Sequence, residues 1–342
     1  MKGTRAIVLL GWLARMLGTA VVVAGAVACS SINSSSVAPT TDSSRAHFDA
    51  SNCPASVVYV VSAANRSIEI YDRARLHAGP CGSVTGFQSP QGLFVDSKGS
   101  LWVADAMAQK VFVFVPGSKT AKSALTDPYG VPNAVAVDET TGTAYVTEYK
   151  NNVNPNTLVE VYASGSTTPT GSLSDTNARN GAFDAVDNQG NLYVTFMTQK
   201  NKAQVDRWMS GAGNPQNLGL ELVSAGAIVT TVSSALAICD PFAFRCGEFA
   251  AGSKEMTHVF GHIGRAGSVG VTPDKRPFLH PDALALDRAE RRAYVAAGSV
   301  TEWTFPGPKY RPGHLPLVEI KIPGGAGSGI AVNPASGPGT PY

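Results

Sequence analysis

The feature that most constrains this chain is a repeat. An aromatic residue in a β-rich run, usually followed by Gly, recurs at Tyr71, Phe114, Tyr162, Trp208, Phe249 and Trp303, with separations of 43, 48, 46, 41 and 54 residues. Upstream within these units lies a second aromatic in a short apolar run: Tyr59 in VYVVS, Trp102 in LWVAD, Tyr145 in AYVTE, Tyr193 in LYVTF and Tyr294 in AYVAA. Six or seven residues earlier comes an apolar run closed by an acid or Asn: Leu93–Asp96, Val135–Asp138, Leu284–Asp287 and Ile330–Asn333, with Phe183–Asp187 as a variant. A period in the forties built from several short β-rich runs is the signature of a propeller blade, a sheet too small to bury its faces alone.

Between the runs sit turns such as Asp96-Ser97-Lys98-Gly99 and Asp187-Asn188-Gln189-Gly190. Asp accepts local backbone hydrogen bonds and Gly takes the positive φ of a tight turn, so these read as the hairpins joining the two inner strands of each blade. Six third-strand aromatics imply six blades. The first unit lacks an innermost strand of its own. The last such strand, Gly329–Asn333, has no partners downstream before Tyr342. Pairing the two in one composite blade closes the ring and leaves no open edge between first and last blade. The expected fold is therefore all-β, a six-bladed β-propeller closed by its N- and C-terminal strands over residues 53–342. A degenerate fifth blade, around Ala227–Phe260, carries Cys239 and Cys246.

The first 28 residues read as a secretory signal: Lys2, Arg5 and Arg15, then the uncharged, mostly apolar run Met16–Ala28. Ala26-Val27-Ala28-Cys29-Ser30 resembles the bacterial lipobox, which makes Cys29 the expected lipidation site and attaches the domain to a membrane of the cell envelope. An uncleaved anchor over Ala6–Ala28 and ordinary cleavage are the alternatives, and all three place the domain outside the cytoplasm. Residues 29–52, Ser-rich and without apolar periodicity, read as a flexible tether with a reach of about 25 Å.

Export also gives the cysteines a meaning. Cys53, Cys81, Cys239 and Cys246 allow three pairings, of which Cys53–Cys81 and Cys239–Cys246, nearest in sequence, are favoured. Cleavage before Cys29 leaves 24 basic residues against 25 acidic ones. So neutral a surface, with no clustered Lys and Arg, does not suit nucleic acid, and a monomer is expected.

The run Leu101–Phe114, LWVADAMAQKVFVF, resembles the NHL repeat in having a strand ending V-A-D, a polar loop and a strand ending in an aromatic. Over about residues 56–334 the chain resembles the broad group of NHL-repeat, TolB-like and SMP-30-like six-bladed propellers. That architecture hosts hydrolases, lyases and plain binding modules. Resemblance to SMP-30-like lactonases implies a metal held near the channel by acidic and Asn residues. The Glu-Gly-Pro entry usual there is missing, and Ser328-Gly329 stands in its place. Streptogramin-lyase-like propellers use a His base beside an acid, and His280 with Asp282 is the comparable pair.

Blade geometry brings the loops entering the innermost strands and those leaving the second strands to one face. Gln91, Asn133, Asp282 and Ser328 enter; Asp105, Glu148, Phe196 and Asp240 leave. Gln91, Asn133, Asp184, Asp282, Asp105 and Glu148 are thus the candidate channel-mouth binding set. Their hard oxygen donors suit Ca²⁺ or Mg²⁺ should a metal be held there. Asp184 replaces an apolar residue of an inner strand and is expected to line the channel. The competing reading gives Asp105, Glu148 and Asp240 a capping role. Asp96, Asp138, Asp187 and Asp287 fall on the opposite face as turn residues. His258 and His262 in HVFGH lack the Glu of a zinc-protease helix, and no G-x-S-x-G is present. The chain reads as a binding or scaffold module for an unknown protein or small molecule, the alternative being a metal-dependent lactonase or related hydrolase.

Overall fold

Each repeat folds into a small antiparallel sheet, and the computed structural model describes residues 46–151, 155–260, 282–306, 316–323 and 325–333 of the chain. The fold is all-β, with six blades in a ring. Blade two is representative: Pro90–Val95, Leu101–Asp105, Lys110–Phe114 and Ser123–Thr126 follow one another from the axis outward. The innermost strands of blades three to six are Gly130–Asp138, Ala178–Val186, Ile228–Thr230 and Ala283–Leu286. The fifth blade, for all its irregular sequence, has four strands like its neighbours.

Blade one is the composite. Its inner strand is the C-terminal Ala326–Asn333, paired antiparallel with Val57–Ser62 so that Val332 opposes Val58 and Ile330 opposes Val60. Outward from there run Ser67–Asp72, Pro80–Thr85 and a short edge strand, His47–Asp49.

The repeat aromatics form the cores between blades. Tyr71, Phe114, Tyr162, Trp208, Phe249 and Trp303 are all at most 2% exposed. At the closure, Val58, Val60, Ile330 and Val332 pack with Ala283, Ala285 and Tyr294 of blade six. The hairpin acids are turn formers. Asp96 Oδ1 accepts the N–H groups of Lys98 and Ser100, while Oδ2 accepts the Trp102 indole N–H at 3.2 Å. Asp187 does the same for Gln189 and Asn191 and binds the Tyr193 hydroxyl at 3.0 Å. One carboxylate thus shapes the turn and fixes the aromatic of the strand that follows.

One boundary moves. Residues 46–52, expected at the end of the tether, belong to the propeller. His47–Asp49 pairs with Pro80–Thr85, and the Phe48 N–H donates to Lys119 O of blade two, so the segment straps the first two blades together. Phe48 provides the driving force, with its ring 6.3 Å from that of Tyr59 and 5.9 Å from that of Phe114. Three residues are too short to show a period, which hid the strand in the sequence. Gly82 allows the approach, since a Cβ there would lie 2.2 Å from Asp49 O. The Cys53–Cys81 disulfide pins the strap to blade one, and Cys239–Cys246 links two directly opposed strand residues in blade five. Both bonds indicate an oxidising compartment. Cys29, the signal and the rest of the tether lie outside the described residues. Among the described residues no helix is long and apolar enough to cross a membrane.

Deleting residues 326–342 should remove the inner strand of blade one. It would expose Val57–Ser62 as an open edge and forfeit burial of Ile330 and Val332, about 1.5–3 kcal/mol each. Aggregation or loss of a cooperative melt is expected. A truncated protein that melts like the full chain would show that closure does not depend on this strand.

Candidate functional site

The six innermost strands surround an axial channel of about 110 Å³. Its walls follow from the repeat. Three residues before each hairpin turn stand Leu93, Val135, Asp184, Ile228, Leu284 and Ile330, all lining the channel. Five blades place an aliphatic side chain at this level and blade four places a carboxyl. Toward the far end Val95, Val137, Val186, Leu286 and Val332 continue the apolar lining, with Thr230 the polar exception. The Thr230 hydroxyl donates to Val186 O at 2.8 Å.

Asp184 is 8% exposed. Its Oδ2 accepts a hydrogen bond from the Thr147 hydroxyl of blade three at 2.8 Å, while Oδ1 is buried without a hydrogen-bond partner. Burial pushes the carboxyl up to about 7, against the opposing pull of the Thr147 bond. Near neutrality it therefore exchanges between a neutral acid and a buried anion. Thr147 sits where blade two has Ala104 and blade six Ala296, a small residue facing its neighbour. The hydroxyl in Y-V-T-E was the sequence signal for this partner, invisible until the two blades are placed side by side.

The mouth residues enter a chain of contacts that joins successive blades. The Ser328 hydroxyl of blade one donates to Gln91 Oε1 of blade two at 2.6 Å, and Gln91 Nε2 donates to the Ser89 hydroxyl. The Asn133 amide of blade three donates to Ala182 O of blade four. The Thr195 hydroxyl of blade four donates to Gly226 O of blade five at 2.8 Å. Asp282 stands at the mouth of blade six, its N–H donating to Ala296 O. His280 lies outside the described residues.

Two of the acids leaving second strands stay off the channel. Asp105 accepts the N–H groups of Gln88 and Ser89 at 2.7 and 2.8 Å. Asp240 repeats this with Val223 and Ser224, at 2.9 Å each. Both hold the loop that leads into the inner strand of their own blade. Ser62 has the analogous role in blade one, donating to Pro323 O. Glu148 departs from the pattern. Its carboxyl is 1% exposed and turned toward Gly130, within its own blade. The structure thus joins Gln91 to Ser328 and sets Asp184 deeper in the channel, while Asp105 and Glu148 belong to loop entries. Sequence reasoning passed over Asp127, Glu160, Asp175 and Asp206, a buried acid beside each loop entry and on each third strand of blades three and four.

No protein-family model and no curated protein sequence matches the chain. Solved structures do match in shape. A chain of a nidogen–laminin complex superposes with a TM-score of 0.62 at 16% identity, over 81% of this chain and 98% of that one. Regucalcin, a calcium-binding protein from Agrobacterium tumefaciens, gives 0.49 at 15% identity, over 72% and 79%. Hydrazine synthase from Kuenenia stuttgartiensis gives 0.49 at 15% identity, over 72% and 73%. At these identities the likeness lies in the fold.

A carboxyl whose folded value is raised stabilises the fold below its unfolded value and loses that contribution as pH rises through the folded one. For Asp184 the loss falls between about pH 4 and pH 7 and is complete above that. Asp184→Asn keeps an acceptor for Thr147 and removes the titration. Its melting temperature should vary less over this range than that of the wild type, with a gain on the order of 4 kcal/mol at pH 8. Parallel thermal melts across pH measure this, and coincident profiles would mean that Asp184 does not titrate in the folded protein.

Proposed function

We propose that the protein is an exported, membrane-anchored propeller that acts as a binding module and reads its ligand at the axial channel. The observation that carries the proposal is Asp184, a buried carboxyl with one unpartnered oxygen in a ring otherwise made of aliphatic side chains. A narrow, mostly apolar channel lined by the carboxyl of Asp184 suits a slim apolar group ending in a hydrogen-bond donor or a positive charge. The channel is too small to enclose a large substrate, so the ligand is a short molecule or a side chain presented by a partner protein.

The alternative, a metal-dependent lactonase or related hydrolase, needs several oxygens free to converge on an ion. The Gln91 amide oxygen and both Asp105 oxygens already accept hydrogen bonds of the fold. Oxygens so engaged favour the binding module.

Asp184→Leu separates stability from function, because it completes the ring that the other five blades already have. Thermal melts of the full-length protein with n-butylammonium as probe should show an upward shift for the wild type and none for Asp184→Leu, whose own melting temperature is not lower. No shift in the wild type would defeat the channel reading. A shift with millimolar Ca²⁺ or Mg²⁺, lost in Asp184→Asn and Asp282→Asn but kept in Asp96→Asn, would favour the hydrolase.

The membrane anchor rests on the small residues Ala26-Val27-Ala28 before Cys29 and on the charged, apolar leader. Cys29→Ala should abolish incorporation of labelled fatty acid and leave the protein unprocessed or released. Equal labelling of wild type and variant would refute lipidation at Cys29.

A further inference from the structure

Blade three holds a set of buried acids away from the channel. Asp127 lies in the loop entering the blade, Glu148 on its second strand and Glu160 on its third, with exposures of 0, 1 and 4%. Asp127 Oδ1 accepts the N–H groups of Tyr129 and Gly130, both at 3.1 Å. Glu160 Oε1 accepts from the Asn151 amide at 3.0 Å. Asp127 Oδ2 and both oxygens of Glu148 are left buried with no hydrogen bond of ordinary geometry.

The arrangement is built into the backbone. Pairing between the inner and second strands slips on either side of Glu148, between Thr147 and Glu148 and again before Lys150. A bulge of this kind re-aims a side chain. Here it turns the carboxyl over Gly130, where a Cβ would lie 1.5 Å from Glu148 Oε2, so a side chain at 130 would displace the carboxyl. In blades two and five the corresponding acids, Asp105 and Asp240, hold the loop N–H groups themselves. In blade three Asp127 makes those bonds, and Glu148 is added on top.

The Asp127 carboxyl and the Val131 N–H lie against Glu148. Two carboxylates are both acceptors and cannot be buried in contact unless one carries a proton. Burial, reinforced by Asp127 and Glu160, pushes Glu148 up to about 11, and burial with the nearby Asp127 pushes Glu160 up to about 7. Among the described residues, Tyr129 on the entry loop and Tyr162 on the third strand also face the set. Lys110 of blade two stands half-buried opposite Thr126, and Lys150 is exposed. On the blade-four side Thr147 leads to Asp184, and Gly181 packs against Thr147 and the Glu148 carbonyl.

We propose that Asp127, Glu148 and Glu160 form a proton-operated latch at the mouth of blade three, closed while Glu148 and Glu160 hold their protons and loosened when the proton leaves Glu160. The new charge is buried beside the Asp127 carboxyl, and releasing the loop 127–131 relieves the repulsion by admitting water. Thr147 is the residue next to Glu148, so the loosening reaches Asp184 and the channel wall. The latch does not depend on any channel ligand.

Amide hydrogen exchange on the full-length protein tests this. Corrected for intrinsic rates, protection of Gly130 and Val131 should fall by about tenfold or more between about pH 6 and pH 8.5 in the wild type. In Glu160→Gln the fall should be less than about threefold, while Asp206→Asn, in blade four, should behave as the wild type. Glu148→Gln, which keeps a donor toward Asp127, serves as the second variant and should preserve protection at pH 6. Unchanged protection in the wild type, or an equal fall in Glu160→Gln, overturns the latch. So does recovery of protection at pH 8.5 on adding millimolar Ca²⁺ in the wild type but not in Glu160→Gln, which would make the set a cation site.

Discussion

A ring of sheets is stable only when it is closed, and here closure rests on the hydrogen bonds and side-chain packing between Val57–Ser62 and Ala326–Asn333. Every other blade is made from consecutive chain, so its strands find each other locally. Blade one joins segments more than 260 residues apart. Contacts of such sequence separation form late, because the loop must be closed before the pairing rewards it. The channel inherits this dependence. Ser328, Ile330 and Val332 supply one sixth of its wall, and the Ser328–Gln91 bond crosses the same seam. The site does not exist until the last strand is in place.

Within the closed ring, carboxyl groups do three different jobs set by where the strand pattern puts them. At the hairpins, acids such as Asp96 and Asp187 are satisfied by turn N–H groups and a neighbouring aromatic. At the ends of second strands, Asp105 and Asp240 hold the next loop. Where a buried acid is short of donors its proton affinity rises, as for Asp184, Glu148 and Glu160, and for Asp206 beside Asp175. All of these lie in blades three and four. That third of the ring gathers these acids, while aliphatic side chains with Tyr71 and Tyr294 fill the interface of blades six and one.

What the sequence made legible was whatever the repeat encodes. The third-strand aromatics, the hairpin acids and the orphan strand at Ile330–Asn333 each follow from a period, and blade number and closure follow from them. What it hid lies between blades or below the length of a period. Asp105 and Glu148 occupy the same place in their repeats, yet one caps a loop and the other is displaced by Asp127. Nothing local distinguishes them, since the difference depends on a residue 21 positions upstream of Glu148. The Thr147 partner of Asp184 belongs to another blade. Phe48 sits in too short a run to register, and its strand is recognisable only once Tyr59 and Phe114 form the surface it covers.

The strap has a mechanical consequence. A pull arriving from the N-terminal side meets His47–Asp49 first, hydrogen-bonded both to the outer strand of blade one and to Lys119 of blade two. Tension that passes this zip arrives at Cys53 and crosses through the disulfide to Cys81. The stretch from 54 to 80, including the seam strand Val57–Ser62 and its outer neighbour Ser67–Asp72, is thereby bypassed. The load path runs along the rim of the ring and leaves the seam slack, so traction on the leading end would not unzip the joint that holds the circle shut.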